Sequence, residues 1–292
     1  MRGSSSSSKA SHSKLRPDEQ RAVEVGRALA TPGLVEHLAE TDPQMSAVRR
    51  IVKRLGFPEG ALYVVGVSLL SYMLSERGEK HWDLAADYAD TPFGDALLRF
   101  AVESRSLAKF REARLRRARA YVEAAPRLRK LLSESEVNLD FFFRGLLNVV
   151  GGSRESKTVA FAVKMLYYTC RVAGVRCIGG WEVPIPVDFR VSLVSLTSGM
   201  VSGWSCSQNL LQLASELRSG WRGVLVGLWR RAAEEAAIPP LVLDSAVWVA
   251  GGCVEDSLRE HRRPRGCALV LAPGKQELQR ALSELWRELE KC

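Results

Sequence analysis

Lysine is the scarce cation of this chain. Of its 42 basic residues only ten are lysine and 32 are arginine, and asparagine and glutamine together number nine. That bias is compatible with a thermophile, and a GC-rich genome would give the same composition. Metal-ligand spacing is missing too. The six cysteines are Cys170, Cys177, Cys206, Cys253, Cys267 and Cys292; none forms a Cys-x-x-Cys pair or has a histidine at zinc-ligand spacing. Nor do they make the tight cluster an iron–sulfur centre requires. They read as small buried apolar residues, with a disulfide expected only in an oxidising or hyperthermophilic setting. The longest apolar run, 61–74, amounts to one core helix and is too short to span a bilayer. No apolar stretch follows the basic start, so no secretory signal and no membrane association are expected, and the chain reads as cytoplasmic.

What is present is an ordinary globular composition, 46% apolar and 26% charged over 292 residues, enough for a substantial core. The net charge of +9 and a pI near 9.4 favour a polyanionic partner such as nucleic acid. Residues 1–16 are serine-rich and basic and are expected to form a disordered tail. From residue 17 onward the patterns are helical, and no run sustains the alternation of a strand, so the fold class is all-α. Thr41-Asp42-Pro43 predicts an N-cap with proline in the first turn, and Gly56 closes that helix. Further helices are expected at about 60–75, 139–150, 156–173, 188–202, 207–218, 223–237, 240–250 and 274–290, with a glycine- and proline-rich loop over 174–186. The basic run 101–124, including Arg105, Lys109, Arg111, Arg114, Arg116, Arg117 and Arg119, is either a solvated helix face or a DNA-facing surface.

The helices 139–150 and 156–173 meet at Gly151-Gly152, the layout of a helix-hairpin-helix. Glycine lets backbone N–H groups point outward, and the positive end of the second helix adds to them, so a phosphate is held without reading sequence. An ordinary turn would show the same glycines. Lys157 lies in the first turn of that second helix, and spacing of i, i+4 and i+7 puts Phe161 and Lys164 on its face. The helix end and the second cation are expected to favour a neutral, nucleophilic Lys157 amine. The alternative is a solvated surface lysine. Asp188 follows 31 residues later on a stretch stiffened by Pro184 and Pro186. A carboxylate there suits the positive charge that develops on a sugar as its base departs, and the same side chain would also cap a helix beginning near Phe189.

Five blocks in order carry a family resemblance: Asp42-Pro43-Gln44; Ser71-Tyr72 through Gly78-Glu79-Lys80-His81-Trp82; Lys157-Thr158 with Phe161 and Lys164; Ile185-Pro186-Val187-Asp188; and 238–248, which contains Asp244 and Trp248. Over about residues 34–251 the chain resembles the archaeal 8-oxoguanine DNA glycosylases, a branch of the helix-hairpin-helix glycosylase superfamily. The resemblance implies two helical subdomains flanking a base-binding cleft. It matches Lys157 to the family's Schiff-base lysine and Asp188 to its catalytic aspartate. Gln44, Ser71, Trp82, Phe161, Lys164, Pro186, Asp244 and Trp248 match positions around the flipped base.

Those residue types suit such a pocket. Phe161 and Trp248 offer flat faces, and Gln44 offers a carbonyl to the N7–H donor that 8-oxoguanine has and guanine lacks. The Trp82 indole N–H suits O8. Without the resemblance, Trp82 and Trp248 would read as core aromatics, Ser71 as a serine back-bonding to its own helix, Gln44 as a solvated first-turn residue and Asp244 as an arginine partner. The implied activity is excision of 8-oxoguanine from double- or single-stranded DNA by a monomeric glycosylase and lyase, needing no metal or organic cofactor. The arginine-rich segment 255–266 is expected to add phosphate contacts. Two other readings stay open: a helix-hairpin-helix glycosylase for another damaged base, and a non-catalytic DNA-binding helical protein.

Overall fold

In the computed structural model, residues 15–133, 135–154 and 156–292 are described. The chain is built of α-helices with two very short ladders and divides into two compact units.

One unit comprises 39–186 and 239–242. At its centre is the helix Glu59–Leu70, in which every residue from Gly60 to Leu70 is buried. A helix apolar on all sides can only be stable when surrounded. Here Pro43–Leu55, Phe93–Glu103, Arg111–Arg129 and Lys157–Ala173 pack around it. The predicted caps of Pro43–Leu55 are both present: Asp42 accepts from the Gln44 amide, and Gly56 closes the helix.

The central helix stops at Leu70 rather than running to residue 75, and Ser71 is its C-cap. Its last carbonyls, which no further turn can satisfy, are taken by arginines. Arg114 Nε donates to Leu70 O at 3.2 Å, and Arg117 Nη1 to Leu69 O at 3.1 Å. This corrects the basic run 101–124 at one member and in its continuity, while Arg105, Lys109, Arg111, Arg116 and Arg119 are exposed as either reading requires. The run breaks at 104–110 before the helix Arg111–Arg129 begins, and Arg114 is fully buried instead of lying on a charged surface.

The helices Leu139–Val150 and Lys157–Ala173 fall where the sequence predicts. The following loop carries one element not foreseen, the strand Arg176–Ile178, parallel to Glu136–Asn138.

The second unit comprises 1–38, 187–238 and 243–292. Only the last two residues of the expected tail 1–16 are described, and both have a defined place. Residues 1–14 lie outside the described residues, while Leu15 is buried and Arg16-Pro17 pair antiparallel with Val201-Ser202. Buried Arg21 joins chain ends far apart in sequence, donating to Ser198 O at 2.6 Å and Glu284 O at 2.8 Å. The helix Pro240–Arg259 is longer than expected, Arg265–Leu271 was not anticipated, and 274–290 splits into Gln276–Ser283 and a 3-10 turn, Glu284–Lys291.

Four of the six cysteines form disulfides in this unit, Cys206–Cys292 and Cys253–Cys267, which corrects the reading of them as plain apolar residues. Spacing could not reveal the first pair because 86 residues separate its partners. Cys170 and Cys177 are free thiols in the other unit.

Candidate active site

Lys157 opens its helix behind Ser156, which caps the helix position without a side-chain hydrogen bond. The lysine is half-buried, and its amine makes no ion pair or hydrogen bond with any described residue. One turn on, Phe161 meets Trp82 edge-on, with ring centroids 6.2 Å apart. Trp82 itself is buried.

Lys164, on the same face, has the opposite environment. It is completely buried, its Nζ lies 3.8 Å from Asp42 Oδ2, and it sits 5.2 Å from the centre of the Tyr168 ring. The Tyr168 hydroxyl donates to that same carboxylate oxygen at 2.7 Å. Asp42 thus caps Pro43–Leu55 through Oδ1 and offsets Lys164 through Oδ2. The second cation that the sequence sets on the face of Lys157 therefore has a carboxylate beside it.

The Asp42 cap also fixes Gln44, which is buried, not the solvated first-turn residue its sequence context alone would suggest. Its Oε1 is buried with no hydrogen-bond partner among the described residues. Buried acceptors without donors are uncommon and call for a ligand or water.

Ser71 back-bonds to Val67 O at 2.8 Å, as a serine ending an apolar helix should, and its Oγ is also 2.8 Å from His81 Nε2. With the hydroxyl proton committed to Val67, the imidazole donates from Nε2 and accepts at Nδ1 from Ser106 Oγ, 2.9 Å away. Burial, with a contribution from the positive charge of Arg114, pushes His81 down to about 3, so it is neutral. The family resemblance includes His81 in one of its blocks and implies no role for it. A lone histidine carries no signal of the serine chain around it.

Pro186 is buried at the end of the stretch preceding Asp188. The two glycines differ from expectation. Gly151 is left-handed, with φ of +64°, and its amide closes the preceding helix by donating to Leu147 O at 3.0 Å. That N–H is used, so Gly151 shapes the turn and does not itself supply the outward donor. The amides of Gly152, Lys157 and Thr158 donate to no described residue.

In the other unit, Asp188 caps the helix Phe189–Thr197, accepting from the Val191 amide at 2.9 Å through Oδ1. Its Oδ2 receives no hydrogen bond from a described residue. Asp244 is buried, and Trp248 follows one turn later on the same helix, half-buried.

Arg190, which the sequence did not single out, lies 4.0 Å over the Trp248 ring and donates to Glu255 at 3.2 Å. Gly251 and Gly252 make that path possible: a Cβ on either would stand 2.9–3.0 Å from Arg190 atoms. Within 255–266, Arg259 pairs with Glu255 and Arg262 with Glu260, so two of the arginines expected to meet phosphate are engaged internally.

Comparison with known proteins assigns the chain to a family. The N-glycosylase/DNA lyase family (AGOG) matches residues 27–287. An N-glycosylase/DNA lyase of Pyrobaculum aerophilum is 30% identical over 240 residues, covering 80% of this chain and 86% of the relative. One of Aeropyrum pernix is 30% identical over 244 residues, covering 80% and 82%. In structure, the chain resembles the 8-oxoguanine DNA glycosylase of Pyrobaculum aerophilum solved with 8-oxoguanosine, with a TM-score of 0.67, 26% identity and coverage of 91% and 96% of the two chains. The all-α fold and the family match together place this chain in the N-glycosylase/DNA lyase family, as an enzyme that releases a base from DNA and cleaves the strand.

Proposed function

We propose that the chain excises 8-oxoguanine from DNA through a Schiff base on Lys157 and then breaks the strand by β-elimination. The observation that carries this reading is the half-buried Lys157 amine, which no described carboxylate neutralises, on a face whose other lysine is paired. Asp188, whose Oδ2 is not used in capping, takes a proton from the lysine or stabilises the sugar cation. The amine nitrogen then bonds to C1′ while the glycosidic bond breaks, and the base leaves with that electron pair and a proton. Ring opening gives the iminium. The iminium acidifies the C2′ proton, whose loss expels the 3′ phosphate.

Selectivity follows from Gln44. Its buried Oε1 suits the N7–H of 8-oxoguanine, whereas guanine would present a lone pair to it. The relative solved with 8-oxoguanosine supports the same substrate. The helix-hairpin-helix turn holds the backbone through the Gly152, Lys157 and Thr158 amides.

The test is chromatographic release of the free base, together with strand incision, from matched oligonucleotides containing 8-oxoguanine, another lesion or guanine. Release confined to 8-oxoguanine and lost in Lys157→Gln supports the proposal. Release of a different lesion would keep the lysine chemistry and overturn the substrate.

A further inference from the structure

Turning a nucleoside out of a duplex leaves a gap in the base stack, and an apolar side chain inserted from the protein keeps that gap from closing. Such a side chain must be exposed at its tip and rigid at its root. We propose that Met73 is this wedge, an inference that rests on the DNA glycosylase reading above.

Met73 is 64% exposed and holds a left-handed backbone, with φ of +46°, a conformation that non-glycine residues rarely adopt. Strain of this kind persists only where the surroundings impose it. Here two arginines do so. Buried Arg114 donates to the carbonyls of Leu70, Tyr72 and Met73, while Arg117 holds Leu69 O. Both guanidinium groups lie over the Tyr72 ring, at 4.6 and 5.5 Å. The Ser75 amide donates to Ser106 O at 3.0 Å, fastening the far side of the loop. Burying a guanidinium is costly, and this one is offset by carbonyls of the helix end and of the turn that carries Met73.

Position supports the same role. Met73 stands two residues from Ser71. Ser71 leads through His81 and Trp82 to Phe161, one turn from Lys157. Arg114 also binds Lys109 O, so the exposed cations Lys109 and Arg111 share this surface and suit the flanking phosphates. Leu269 and Val270 are as exposed as Met73. They sit on the helix Arg265–Leu271 of the other unit and have neither the strained backbone nor the arginine clamp.

A wedge matters only where there is a stack to hold open. Single-turnover excision is therefore compared on the lesion in duplex and in single-stranded DNA. Met73→Ala is expected to slow the duplex reaction by about tenfold or more and to leave the single-strand rate within about twofold, while Met73→Leu stays near wild type on both. A second arm does not depend on which base is excised. On a duplex with a tetrahydrofuran abasic site beside 2-aminopurine, saturating wild-type protein should raise the fluorescence and Met73→Ala should not. Phe110 is also exposed, at 56%, and left-handed, with φ of +54°, so equal slowing on both substrates, slowing on neither, or a split produced by Phe110→Ala instead would overturn the wedge. Failure of the wild type to release 8-oxoguanine, with the 2-aminopurine response intact, would overturn the substrate reading alone.

Discussion

The helix Lys157–Ala173 carries two lysines seven residues apart on one face, and their surroundings are opposite. Lys157 sits in the first turn, half-buried, with no described group to neutralise it. Lys164 is two turns deeper, wholly buried, facing the carboxylate of Asp42 and the ring of Tyr168. A buried ammonium requires an anion, because desolvation without one costs several kcal/mol. An amine that must attack carbon cannot be tied to one. The same residue type on the same face is thus left unneutralised by described groups at one end and paired with a carboxylate at the other, and the proposed nucleophile is the first of the two.

The largest expected effect breaks the chemical end. Lys157→Gln should lower base release and incision by roughly a thousandfold or more, with the thermal midpoint nearly unchanged. A midpoint that collapsed along with activity would make Lys157 structural. The architectural end should respond in reverse. Lys164→Met leaves the Asp42 carboxylate buried without its cation and should cost about 3–5 kcal/mol in denaturant unfolding. Adding Asp42→Asn should recover much of that loss, since the orphaned charge is then gone. If Lys164→Met unfolds at the wild-type midpoint, the pair is not buried as described.

A third test concerns the neutral partner in the same unit. His81 titrates near 3 in the folded protein and near its ordinary value of 6.5 when unfolded. A depressed folded value means that the unfolded chain takes up the proton first. The stability His81 contributes is thus present above about pH 6.5 and is lost as pH falls toward 3. Between pH 7 and pH 5 the loss should be about 2 kcal/mol, and His81→Gln should flatten that slope. The smallest effect sharpens specificity. Gln44→Leu removes the buried acceptor and should narrow the preference for 8-oxoguanine over guanine by about 1–2 kcal/mol, read as a ratio of kcat/KM values.

Much of this was legible in sequence where the signal is local. Asp42 before Pro43, Gly56, Gly151 and Asp188 mark helix ends by side-chain or backbone chemistry confined to a few residues, and each does so in the structure. The lysine face follows from helical spacing alone. What escaped was set by distant partners. Nothing near Arg114 distinguishes it from its exposed neighbours until the carbonyls of Leu70 and Tyr72 meet it. Lys164 looks like a free cation until Asp42, over a hundred residues earlier, faces it. Arg190 over Trp248, and the pairing of Cys206 with Cys292, likewise depend on chain segments that only folding brings together.

The most direct test of the central claim is borohydride trapping on an 8-oxoguanine duplex followed by peptide mapping of the adduct. A single covalent cross-link at Lys157 is expected, absent with undamaged guanine and absent in Lys157→Gln. A cross-link at Lys164, or undiminished trapping in Lys157→Gln, would contradict it.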